Sequence, residues 1–159
     1  MPILRPLACL LLLLPLVPLH AQTPSPAGGG QVIAHELDAC LAEAQWQSEP
    51  ALACAREAGI RWEEEVERLG ARLDKVLGRE ARLALEASRA AWEEGGEADL
   101  ALVEAYHDQL AEARLGDPEL LPLSRQLHRN AVWEQRARFL QRLLEGLEEQ
   151  RPDPIREVP

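Results

Sequence analysis

The chain is predicted to be all-α: a small antiparallel helical bundle with one disulfide-stapled N-terminal helical hairpin. Three observations carry that prediction. Ala, Leu, Glu and Arg are abundant while Ile, Thr, Phe and Tyr are scarce, a balance that favours helix over strand. Apolar residues recur at steps of three and four from Ile33 to Leu147, the period of helices with one buried face. Two cysteines, Cys40 and Cys54, flank Pro50 at a bend between two such stripes. With 159 residues, one domain is expected.

Residues 1–21 hold one arginine, Arg5, then an apolar run centred on Leu10 to Leu14, then Ala21 before Gln22. This is the layout of a secretory signal. Pro15 and Pro18 interrupt the run, which is too short for a stable membrane span. Cys9 has no apolar run before it and does not read as a lipid-anchor cysteine. Residues 22–31 are rich in Pro, Ser and Gly and are expected to form a flexible linker. The helical domain is expected over 32–151, followed by a frayed tail over 152–159. The processed chain is expected in the periplasm or outside the cell, with no membrane attachment.

The first helix is expected over 32–47, with Ile33, Leu37, Cys40, Leu41 and Ala44 on one face. Ser48 is placed to cap the second helix, Pro50 suits its first turn, and Cys54 lies one turn inside. An exported chain meets an oxidising compartment, where an even cysteine count reads as a bridge. A Cys40–Cys54 bond closes a loop worth about 3 kcal/mol in the chain-entropy account. The spacing is not that of a redox pair, and His35 is the only nearby candidate for a metal ligand.

The second helix continues through Trp62, Val66, Leu69 and Leu73 and stops at Gly78. Glu57 with Arg61 and Glu64 with Arg68 are spaced as i,i+4 pairs on its exposed face. Glu63, Glu64 and Glu65 read as a solvated face. The third helix opens near Arg79, with Ala81, Leu85, Ser88 and Trp92 inward. Gly95 and Gly96 together cost about 2 kcal/mol relative to alanine, so a break or kink is expected there. The pattern resumes at Leu100, Val103, Tyr106/His107 and Leu110 and ends by Gly116. Asp117 and Pro118 are placed to open the last helix, whose stripe is Leu123, Leu127, Asn130, Trp133, Ala137, Leu140, Leu144 and Leu147. Pro152 stops it.

The net charge of −10 disfavours nucleic acid and anionic membrane and favours a cationic partner. No Gly-rich phosphate loop, serine elbow or Cys–His pair occurs, and nothing singles out one glutamate pair as a catalytic dyad. His35, His107 and His128 lack ligand spacing and are expected at the surface or half-buried. The chain therefore reads as a non-enzyme with no cofactor and no metal. Trp62, Trp92 and Trp133 lie on apolar stripes and are expected in the core, whereas Trp46, at the bend, is expected to be exposed. Arg89 and Arg136 are expected to orient the bundle by pairing with acids on neighbouring helices.

Several segments resemble the LprI-type lysozyme-inhibitor family of small secreted helical domains, over about residues 38–144. They are Asp38-Ala39-Cys40, Ala53-Cys54-Ala55, the long amphipathic helix that follows, Arg89-Ala90-Ala91-Trp92, and Arg136 with Leu140. The sequence departs from the family where Gly95-Gly96 replace a Tyr-Arg pair, and where Leu100 and His128 stand at the positions of a second cysteine bridge. The resemblance implies inhibition of a basic, lysozyme-like muramidase. Trp46, Glu93, Glu94, Glu97 and Asp99 are the candidate partner contacts, the four acids being read as a loop (93–99) that enters the enzyme's cleft. The alternative reading is an envelope structural or regulatory protein that binds another periplasmic protein through a helix groove.

Overall fold

The computed structural model describes residues 28–150. The expected signal segment over 1–21, residues 22–27 of the expected linker and the expected tail over 152–159 lie outside the described residues. Four helices follow one another: α1 (Gly29–Glu43), α2 (Ser48–Val76), α3 (Arg79–Glu112) and α4 (Leu121–Glu149). Consecutive helices run antiparallel, which leaves α2 and α4 parallel, and these two form the most extensive contact in the bundle. The expected all-α bundle with its stapled hairpin is the observed architecture. No helix among the described residues is long and apolar enough to cross a membrane.

The core follows the α2 stripe. Trp62, Leu69 and Leu73 are almost wholly buried and pack with Ile33 of α1, Leu85 of α3 and Ala137, Leu140 and Leu144 of α4. A second cluster, Leu41, Ala51, Cys54, Ala55 and Leu123, surrounds the bend. There Cys40 and Cys54 are joined by a disulfide, with Cα atoms 5.8 Å apart. The bond ties α1 to the first turns of α2 beside that cluster.

Where α2 and α4 cross, a glycine permits the close approach. A Cβ on Gly59 would lie 2.7 Å from the Oδ1 of Asn130. Buried Asn130 donates from Nδ2 to the Ala55 carbonyl at 2.7 Å, and its Oδ1 accepts from Gln126 Nε2 at 2.9 Å. This amide latch satisfies polar groups that would be costly to bury unpaired.

α1 begins at Gly29, inside the stretch read as linker, and a packing constraint explains it. A Cβ on Gly30 would lie 3.0 Å from the Trp62 ring, and one on Gly29 would lie 2.5 Å from a Glu65 carboxylate oxygen. The glycines therefore let the helix start against α2. Glu65 is correspondingly buried rather than part of a solvated face, while Glu63 and Glu64 are exposed. Its carboxylate sits at the positive end of the α1 dipole and accepts from Arg68 Nε at 2.6 Å and Nη2 at 2.7 Å. The hydrogen bond to Glu65 holds the Arg68 guanidinium more firmly protonated than usual. Arg68 thus pairs with Glu65, not Glu64, and Arg61 reaches across to Glu36 on α1, not to Glu57.

α1 falls four residues short of the predicted end at 47, whereas α3 ends before Gly116 as expected, and both close in the same way. α1 ends in a turn with Gln45 at φ 50°, with Trp46 N–H bonded to the Leu41 carbonyl and Gln45 N–H to that of Ala42. α3 ends alike, with Arg114 at φ 53°, Leu115 N–H on Leu110 and Arg114 N–H on Ala111. Both are Schellman closures whose left-handed position is held by a residue other than glycine, so the usual glycine signal is missing. Ser48 does not cap α2; its hydroxyl donates to the Glu119 carbonyl at 2.6 Å and ties the bend to the α3–α4 connection. Asp117 winds a separate turn, its Oδ1 accepting from Glu119 N–H at 2.9 Å, before α4 opens at Leu121.

Candidate functional site

The expected loop at 93–99 is helical: α3 runs unbroken through Gly95 and Gly96. Gly96 is buried against Trp92, where a Cβ would sit in ordinary contact at 3.6 Å, and Gly95 faces open space. Helix on both sides and the docking of Trp92 offset the propensity cost of the two glycines. Because the backbone carbonyls here are engaged in the helix, only side chains can meet a partner.

From Glu93 to Glu112 the helix carries seven carboxylates and no lysine or arginine. Glu104 and Asp108 are held by α4: Arg125 Nη1 lies 3.0 Å from Glu104, Arg125 Nη2 2.7 Å from Asp108 and Arg129 Nη1 2.5 Å from Glu104. Glu93, Glu94, Glu97 and Asp99 are exposed and have no ion-pair partner among the described residues. Glu93 and Glu97, one turn apart, line a cleft of about 210 Å³ together with Trp92 and Trp133. The two indoles meet edge to face with centroids 4.8 Å apart. Leu100 lines the same cleft, across from Val132. Both tryptophans are half-buried, Trp62 is 2% exposed and Trp46 is 58% exposed.

Trp46 does not belong to this surface. It sits at the end of the bundle where Ser48 meets Glu119, and α3 alone places roughly 20 Å between Asp99 and that end. The predicted contacts therefore fall into two places, the acidic midsection of α3 and the bend.

Two features escaped the sequence reading. His107 is fully buried, not half-exposed; its Nε2 lies 2.9 Å from Nδ1 of His128, and its own Nδ1 has no partner. Burial, then the charges of His128 and Arg125, pull its pKa below the usual histidine value, against the opposing pull of Glu104 and Asp108. The second is Arg136, 7% exposed. It does not pair with an acid: among the described residues no carboxylate lies within ion-pair distance. Its Nη1 donates to Ser88 Oγ at 3.1 Å, its Nε is buried without a partner, and its guanidinium lies 5.4 Å from the Trp92 centroid and 5.5 Å from that of Phe139. Burial, then the neighbouring Arg89 charge, lower its pKa. Desolvating an unpaired ion costs several kcal/mol, and each desolvated ring contact returns about 2 kcal/mol. His107 falls on the apolar stripe of α3 and Arg136 lies beside that of α4, but neither position says what its polar group meets.

Among the described residues no cluster of three or more His, Cys, Asp or Glu is placed to hold a metal ion. No protein-family model, no curated protein and no solved structure matches the chain.

Proposed function

We propose that this chain is an exported, non-enzymatic binding protein that inhibits a basic, lysozyme-like muramidase through the acidic midsection of α3. The observation that carries the reading is the unpaired set Glu93, Glu94, Glu97 and Asp99, on a helix segment without a cation, beside the Trp92–Trp133 cleft. Free carboxylates on a rigid helix raise the encounter rate with a cationic surface, and the adjacent aromatic cleft supplies apolar area once contact is made. The resemblance to the LprI-type inhibitors points to the same class of partner.

Muramidase rates measured with the purified processed chain test this. Inhibition at micromolar concentration is expected, weakening as salt rises. Replacing the four acids by their amides is expected to weaken inhibition at least about tenfold, through the association rate. No change in rate across several lysozyme types would remove the proposal.

A further inference from the structure

The buried guanidinium of Arg136 lies behind Ser88 and Phe139, two residues at one end of a groove that the acidic surface does not use. The groove runs between the first half of α3 and the second half of α4 and encloses about 460 Å³, within the range of small-molecule sites. Leu73, Leu77 and Leu85 form its floor. Phe139, Leu143 and Leu147 form a rim exposed by 41%, 44% and 40%. Ser88 and Phe139 line the groove and are also the two residues through which it meets Arg136. From Phe139 to Gln150 it extends roughly 16 Å along α4.

We infer that this groove binds a single-chain fatty acid, its carboxylate at the Ser88–Arg136 end and its hydrocarbon along Phe139, Leu143 and Leu147. The chain is acidic overall, yet no carboxylate of the described residues approaches Arg136, and the nearest charges are cationic. Arg89 adjoins it and Arg142 lines the groove wall. This half of α3 bears Arg79, Arg82 and Arg89 against Glu80 and Glu86, the reverse of the half that follows. A planar carboxylate matches a guanidinium in charge, and at this end it would sit beside the Ser88 hydroxyl that Arg136 already holds. An apolar groove with Arg142 on its wall and Arg136 behind its end fits a ligand with one anionic head and one tail. A partner helix would instead spread its contacts along the rim.

Calorimetric titration of the full chain with dodecanoate tests the assignment. Dodecanol and dodecyltrimethylammonium serve as uncharged and cationic probes, at about pH 8 where the carboxylate is ionised. Dodecanoate is expected to saturate one site and to bind at least about tenfold more tightly than dodecanol, with the cation weakest. R136Q is expected to erase the preference for dodecanoate over dodecanol. Because R136Q removes a buried group and can unfold the chain, L143E on the exposed rim is the second variant; it is expected to abolish binding of both probes while the helical circular dichroism is unchanged. Equal affinity of the wild-type chain for dodecanoate and dodecanol would overturn the assignment, as would no saturable binding. So would L143E that is folded and binds dodecanoate like the wild type. Capture of an acidic amphipathic helical peptide by a groove that ignores dodecanoate would likewise overturn it, in favour of a protein occupant.

Discussion

α2 and α3 are both long, 29 and 34 residues, but they are held in opposite ways. Twelve residues of α2 are buried, against three of α3: Leu85, Gly96 and His107. The inner positions of α2 bury a large apolar side chain at every turn from Trp62 through Val66 and Leu69 to Leu73. Those of α3 alternate with small or polar residues, so α3 is joined to α4 by specific contacts: Arg136 to Ser88, Trp92 to Trp133, Arg125 and Arg129 to Glu104, and His107 to His128. α1, α2 and α4 form a stapled platform, and α3 is an attached rod. Both proposed binding surfaces lie on the rod or in its seam with α4.

The two tryptophans of these helices offer the sharpest contrast. Trp62→Ala is expected to cost about 3–5 kcal/mol, because it empties the centre of the platform. Trp92→Ala, half-buried on the rod, is expected to cost about 1–2 kcal/mol. Urea unfolding followed by circular dichroism measures both; equal losses would erase the distinction. Next in size is the disulfide. Reducing Cys40–Cys54, or replacing both with alanine, is expected to lower stability by about 3 kcal/mol, read from the denaturation midpoint.

Smaller, and confined to the seam, is the effect of pH on His107. Its folded pKa lies below the unfolded value, so the unfolded chain takes up a proton first as pH falls. Stability from the neutral histidine is therefore complete above about pH 6.5 and is lost as pH drops from there toward the lowered folded value. The groups facing it, His128, Arg125, Glu104, Asp108 and Tyr106, include two carboxylates that temper the loss. Unfolding midpoints at about pH 7.5 and 5.5 are expected to differ, and His107→Gln is expected to flatten that difference.

How much of this was legible in the sequence depends on which physical signal each element uses. Helix type, the stapled hairpin and the buried Trp62 follow from periodicity, cysteine spacing and compartment chemistry, all local or compositional. The end of α1 is not legible at Gln45 because its left-handed cap is held without glycine. Gly29 and Gly30 read as linker because their role, contact with Glu65 and Trp62, involves partners more than thirty residues away. Gly95 and Gly96 read as a break because the propensity penalty is local, while the packing that outweighs it comes from Trp133 on α4. Of the candidate site, the four free acids were legible as charge, but their helical presentation and separation from Trp46 were not. The buried Arg136 and the His107–His128 contact were invisible because a polar residue on an apolar face announces nothing about its neighbours.

Native-state hydrogen exchange measured residue by residue tests the division into platform and rod most directly. Amides in α2 and in the core-facing turns of α4 are expected to exchange only through global unfolding. Amides in α3 are expected to open at least about tenfold more often, roughly 1.4 kcal/mol below the global value. Equal protection along α2 and α3 would contradict the account.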